Sequence, residues 1–188
     1  MHLAHVDDID QGEGQFMKLI QAIVVTATAV ISLGGAMLSW AADESYDSTS
    51  VFGGNLPSGY RDWKLISVAH EEGKLNDIRA ILGNDIAVKA YREGKLPFPD
   101  GAIIARIAWS YVPSEENNRA FGRAQSFVAG TPTNVQFMVK NSHDYASTGG
   151  WGYTQFSGGK STHVDVQACY GCHVPVKDRD FLFTRYSP

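Results

Sequence analysis

The chain reads as an α+β domain in which strands dominate and a few helices intervene, and three observations predict this. Ala102-Ile103-Ile104-Ala105-Arg106-Ile107-Ala108-Trp109-Ser110-Tyr111 is an apolar run with the β-branched and aromatic make-up of a central strand. Trp151-Gly152-Tyr153-Thr154-Gln155-Phe156 alternates large aromatic with small or polar residues between Gly149-Gly150 and Gly158-Gly159, as a strand between turns does. Asp85 to Glu93 instead gathers Ile86 and Ala90 on one helical face, with Gly94 as its stop and Pro97 and Pro99 barring continuation.

The other elements follow in chain order. Asp43 to Gly59 is rich in Ser, Gly and Asp and reads as a flexible linker, with order beginning near Tyr60. Arg61 to Val68 alternates like a strand late in its run, and Lys74 to Leu82 reads as a helix before the one at Asp85. Asp100-Gly101 is a turn dipeptide leading into the central strand. Arg106 is the odd residue of that strand. A guanidinium in an apolar run is costly unless it reaches a partner or a solvated cavity, so Arg106 marks either a pocket or an ion pair, for which Asp100 or Glu93 are the expected acids. Ala120 to Ala129 and Asn134 to Val139 are further strand candidates. No repeat or low-complexity tract interrupts the sequence.

The N-terminal portion reads as an export signal. Leu19 to Leu38 is uncharged and apolar, with Lys18 just ahead of it, and Ser39-Trp40-Ala41 places small residues where a signal peptidase needs them, before Ala42. Residues 1–16 carry Asp7, Asp8, Asp10 and Glu13 where such a signal should be basic, so Met17 is the expected initiation point and 17–41 the signal peptide. The rival reading is a retained membrane anchor, since about 20 apolar residues span a bilayer. Either way the domain is expected in the periplasm, with residues 42–59 as linker and 60–188 as the folded part. Beyond Ala41, 15 cations face 16 anions. That balance is an ordinary solvated surface and gives no basic field for nucleic acid.

Chemistry concentrates in Cys169-Tyr170-Gly171-Cys172-His173, which holds both cysteines of the chain. C-x-x-C-H is the sequence by which a polypeptide captures haem covalently: each thiol bonds one vinyl group, and the following imidazole reaches the iron. Cys169 and Cys172 are therefore the expected attachment points for one haem c, and His173 the expected axial ligand. A zinc ribbon would need a second cysteine pair, and a thioredoxin-type dithiol would sit near the start of a βαβ unit. A mixed zinc site using His143 or His163 stays open. So does a second axial histidine from His70, His143 or His163, although such residues are more often solvated surface groups. Met138 is the only methionine after Ala41, and its spacing within Val135-Gln136-Phe137-Met138-Val139 suits a core position better than a distal ligand. Trp109, Phe127, Phe137, Trp151, Tyr153 and Phe156 are candidates for pocket walls.

Small electron-transfer cytochromes carry C-x-x-C-H near the start of an all-helical domain, and this chain does not. The opening Tyr60-Arg61-Asp62-Trp63, the Leu96-Pro97-Phe98-Pro99-Asp100-Gly101 turn, Gly149-Gly150-Trp151-Gly152-Tyr153, the late haem motif and the ending Asp180-Phe181-Leu182-Phe183-Thr184-Arg185-Tyr186-Ser187-Pro188 together resemble the cytochrome P-460 family, which includes the cytochromes called c-prime-beta. The resemblance implies a mainly antiparallel β-sheet with a few helices, one haem c, and often a homodimer. It also implies handling of small nitrogen oxides, nitric oxide or hydroxylamine, with a five-coordinate iron; the alternative is a six-coordinate carrier serving a periplasmic electron-transfer partner. In hydroxylamine-oxidising members a lysine in the strand after the Asp-Gly turn forms a second covalent link to the haem. The equivalent position here is Arg106, whose protonated guanidinium is a poor nucleophile, so hydroxylamine or nitrogen-oxide oxidoreductase activity is an open question.

Overall fold

The computed structural model describes residues 46–187. The expectations for residues 1–41 and for the first residues of the linker lie outside them. Six strands form one sheet in sequence order: β1 (Lys64–Glu71), β2 (Asp77–Gly83), β3 (Ile103–Pro113), β4 (Phe127–Lys140), β5 (Trp151–Ser157) and β6 (Lys160–Thr162), each antiparallel to the next. Helices α1 (Asp85–Glu93), α2 (Glu115–Phe121) and α3 (Val166–His173) sit in the connections and after the last strand. The α+β, mainly antiparallel architecture is thus the observed one.

Local chemistry accounts for the best-defined elements. α1 starts on Asn84, whose side-chain oxygen accepts from the Ala87 N–H at 3.0 Å and from the Ile103 N–H at 3.1 Å, while its amide donates to Gly101 O at 2.8 Å. One residue therefore caps the helix and ties it to the start of β3. The helix ends at Gly94 in the left-handed region (φ 61°), where glycine carries no Cβ penalty.

Three expectations are corrected. Lys74 to Leu82 is not a helix, because Asp77–Gly83 pairs on both sides as β2. The strand proposed from Ala120 begins at Phe127 and runs unbroken to Lys140, after α2 and its Gly122 cap. The described part of the supposed linker, from Tyr46 onward, is not a free tether: Ser48 and Val51 are buried and Val51–Gly54 forms a 3-10 turn.

The sheet separates two cores. One face carries Leu82, Ala105, Ile107, Phe137 and Phe156, against which Phe52, Leu56, Tyr60 and Trp63 pack. Phe137 is their hub, edge-on to Phe52, Tyr60, Trp63 and Phe156. The other face is covered at one end by α1, Phe98, Trp151 and Val166. The C-terminal tail runs along this side, with Thr184 O accepting from the Tyr91 hydroxyl and the Ser187 N–H donating to Ile66 O.

Candidate cofactor site

Between the second face, α3 and the tail lies a cavity of about 820 Å³, within the roughly 300–1,000 Å³ usual for small-molecule and cofactor pockets. Its floor is set by strand register. Ser67, Ile81, Arg106, Gln136, Gln155 and Thr162 are successive cross-strand partners, one rung across all six strands, so their side chains share a face. Hydrogen bonds link the polar part of the rung: Arg106 to Gln136 at 3.1 Å, Gln136 to Gln155 at 2.8 Å, and Gln155 to Thr162 at 3.3 Å. The neighbouring rung, Ile104, Met138 and Tyr153, is apolar apart from the Tyr153 hydroxyl.

The roof is α3. Asp165 caps it, its carboxylate accepting from the Gln167 and Ala168 N–H groups at 3.0 and 3.1 Å. In a helix begun there, Cys169, Cys172 and His173 stand at i, i+3 and i+4 and so share one side, and all three line the cavity. Cys169 is half-buried and Cys172 exposed. Burial, then the charges of Asp165 and Cys172, push the Cys169 thiol above its ordinary pKa.

His173 is prepared as a ligand. Its Nδ1 lies 2.6 Å from Phe181 O; a carbonyl can only accept, so Nδ1 carries the proton and Nε2 keeps its lone pair. Burial lowers the imidazole pKa, partly offset by that hydrogen bond. Tyr153 and Phe183 hold the ring from two sides, at centroid distances of 5.3 and 5.1 Å.

Arg106 satisfies both alternatives that the sequence posed, because it lines the cavity and is ion-paired. Its partner is Asp77, not Asp100 or Glu93. Asp77 is 3% exposed and also takes Arg79 through Nε at 2.8 Å and NH2 at 2.7 Å. A second Arg106 nitrogen donates to Asn134 at 2.7 Å. Burial and the adjoining Arg79 pull the Arg106 pKa down while Asp77 opposes them; a guanidinium remains protonated through such a shift.

The remaining candidates separate cleanly. Tyr153 lines the cavity; Phe137 borders it although its ring packs in the core on the opposite face, and Trp109, Phe127, Trp151 and Phe156 do not reach it. Met138 is a core residue packed with Ile104 and Tyr153, as its spacing predicts, and also borders the cavity. His70 stacks on Tyr111 at 3.8 Å, His143 pairs with Asp144, and His163 stands 3.8 Å from Asp47; none reaches the cavity. Among the described residues no group of three or more His, Cys, Asp and Glu is arranged to hold a metal ion, so the mixed zinc site finds no ligand set. Sequence reasoning missed Asp77, Arg79 and the tail residues Phe181 and Phe183. Only the unexplained charge of Arg106 hinted at the first of these.

Two thiols and a pre-tautomerised imidazole on one helical side, above a cavity of this size, suit a haem. The buried Tyr153 hydroxyl, which finds no hydrogen-bond partner among the described residues, suits a polar group completing the site. The family model described as Cytochrome P460 matches residues 57–184, and the chain belongs to that family. It is accordingly a cytochrome with a haem cofactor. No curated protein matches the chain significantly.

Proposed function

We propose that the protein is an exported, periplasmic mono-haem c-type cytochrome that binds or processes small nitrogen oxides at a five-coordinate iron. The observation that carries this reading is the convergence of Cys169, Cys172 and His173 on one cavity that no other described histidine reaches. Cys169 and Cys172 would hold the haem through thioethers, and the Nε2 lone pair of His173 would be available to its iron. Once held, the haem supplies an iron that accepts a small ligand and exchanges single electrons with a partner. The chain's own contribution is the surroundings. Arg106 offers N–H donors, Asp77 fixes that guanidinium while sharing its single charge with Arg79, and Gln136 and Gln155 extend a polar strip across an otherwise apolar wall. Arg106 leaves the second covalent link of the hydroxylamine-oxidising relatives without a nucleophile, so slow rather than efficient hydroxylamine turnover belongs to this reading. A homodimer and a periplasmic redox partner complete it.

A second reading, a six-coordinate electron carrier, is favoured by one observation: Met138 borders the cavity. Spectra of the exported protein decide between them. A ferrous form that takes up carbon monoxide supports the five-coordinate reading, and a low-spin ferrous form indifferent to carbon monoxide overturns it. Colourless protein from a host with haem-attachment machinery overturns both. Hydroxylamine oxidation by wild type beside Arg106→Lys tests the activity, and rapid turnover by the wild type would show that the missing lysine matters less than its chemistry implies.

A further inference from the structure

The Nδ1 hydrogen bond of His173 depends on where the Phe181 carbonyl is held, and that carbonyl is placed by a lock outside the cavity. Asp180 and Phe181 both adopt left-handed backbone (φ 52° and 64°), a conformation uncommon in non-glycine residues and least expected for the bulky Phe181. Asp180 belongs to a buried ion pair. Lys140, at the end of β4, reaches Asp180 Oδ1 at 2.8 Å, and the two side chains are 5% and 7% exposed. The other carboxylate oxygen accepts from the Phe98 N–H at 2.8 Å, and the Lys140 ammonium also donates to Gly149 O at 3.1 Å. Lys140 further lies over the Trp151 ring, 4.9 Å from its centroid. Gly149 in turn fits the Phe181 ring so closely that a Cβ there would sit 2.3 Å from it. The turn at 180–181 is thereby held from β4, from the loop before β3 and from the loop before β5.

A buried ion pair is a poor means of gaining stability, because desolvation offsets most of its attraction. It is a good means of fixing one backbone geometry. We propose that Lys140 and Asp180 are positioning residues for the axial histidine: by fixing the Phe181 carbonyl they set the Nδ1 hydrogen bond of His173, and through it the electron donation of the imidazole to the haem iron. This inference rests on the haem reading above. Neither side chain lines the cavity, and the Phe181 carbonyl is the hydrogen-bonded link between their turn and His173.

The test compares wild-type holoprotein with Lys140→Met, Asp180→Asn and the double variant. The double variant leaves no unpaired buried charge and keeps an acceptor for the Phe98 N–H, so it remains informative if either single variant fails to fold. The pyridine haemochrome spectrum is read first, and its thioether signature in the wild type and variants establishes that haem is attached. The iron–histidine stretching band of the ferrous form and the midpoint potential are read next. A weaker Nδ1 hydrogen bond makes the imidazole a poorer donor, so the band is expected to shift down and the potential to shift up together. A folded double variant with unchanged band and potential, losing only thermal stability, overturns the proposal and leaves the ion pair a structural one. A wild type without attached haem overturns the underlying reading, and the inference with it, at the first measurement.

Discussion

Removing Asp77 tests most directly how the cavity floor tolerates its charges. The carboxylate side chain is 4% exposed and serves two guanidiniums that are 13% and 16% exposed, Arg79 and Arg106. Asp77→Ala leaves both, largely buried, without their main acceptor. Removing one partner of a buried pair costs about 3–5 kcal/mol. Arg79 keeps Glu71 at 3.6 Å, and Arg106 keeps Asn134 and Gln136, which places the expected loss near the lower end, about 3 kcal/mol. A domain is stable by only about 5–15 kcal/mol, so this is a large fraction. With a urea slope of about 1–3 kcal/mol per molar, the midpoint should fall by roughly 1–3 M. Equilibrium urea unfolding followed by tryptophan fluorescence measures it. Asp77→Ala combined with Arg106→Met should recover part of the loss, because one of the stranded charges is gone. A single-variant loss below about 1 kcal/mol, or a double variant less stable than Asp77→Ala, would refute the account of a floor whose cations depend on one acid.

Three further outcomes are expected. Asn84→Ala removes the cap of α1 together with the acceptor for the Ile103 N–H, and should cost about 1–2 kcal/mol, read as a lowered unfolding midpoint. In protein prepared without haem, iodoacetamide should modify exposed Cys172 before Cys169, whose thiol is half-buried and raised in pKa; peptide mass spectrometry gives the order, and the reverse order would contradict the orientation of α3. The Ser142 hydroxyl and amide, both at 2.8 Å, hold the Asp100 carboxyl below its ordinary pKa, so the stability this provides is complete above the unfolded carboxylate value of about 3.9 and is lost as pH falls through the lower folded value. Ser142→Ala should move the Asp100 titration upward, as followed by its carboxyl carbon resonance.

Elements whose signals are local were legible in the chain. Asp85 to Glu93 carries its face, cap and stop within a few residues, and Trp151 to Phe156 carries its alternation between two glycine pairs. The helix-period reading of Lys74 to Leu82 failed because Ile78, Ile81 and Leu82 fit a short helical face as well as a strand, and periodicity over so few residues cannot separate the two. Pairing with β1 and β3 decided it. Ala120 was drawn into a strand because the Gly122 cap and the turn after it are short and polar, while the long pairing of β3 with β4 is non-local.

By itself the sequence determined the chemistry: two thiols and an imidazole spaced to share a helical side, and one arginine where an apolar strand should have none. The patterning of residues 102–111 and 151–156 also indicated that strands would prevail. Only the tertiary structure decided what those groups meet. Asp77 lies 29 residues from Arg106, and Asp180 lies 40 residues from Lys140. No propensity or period links residues so far apart, because such pairs form only when strand register and chain closure bring them together and burial then leaves each charge no other partner.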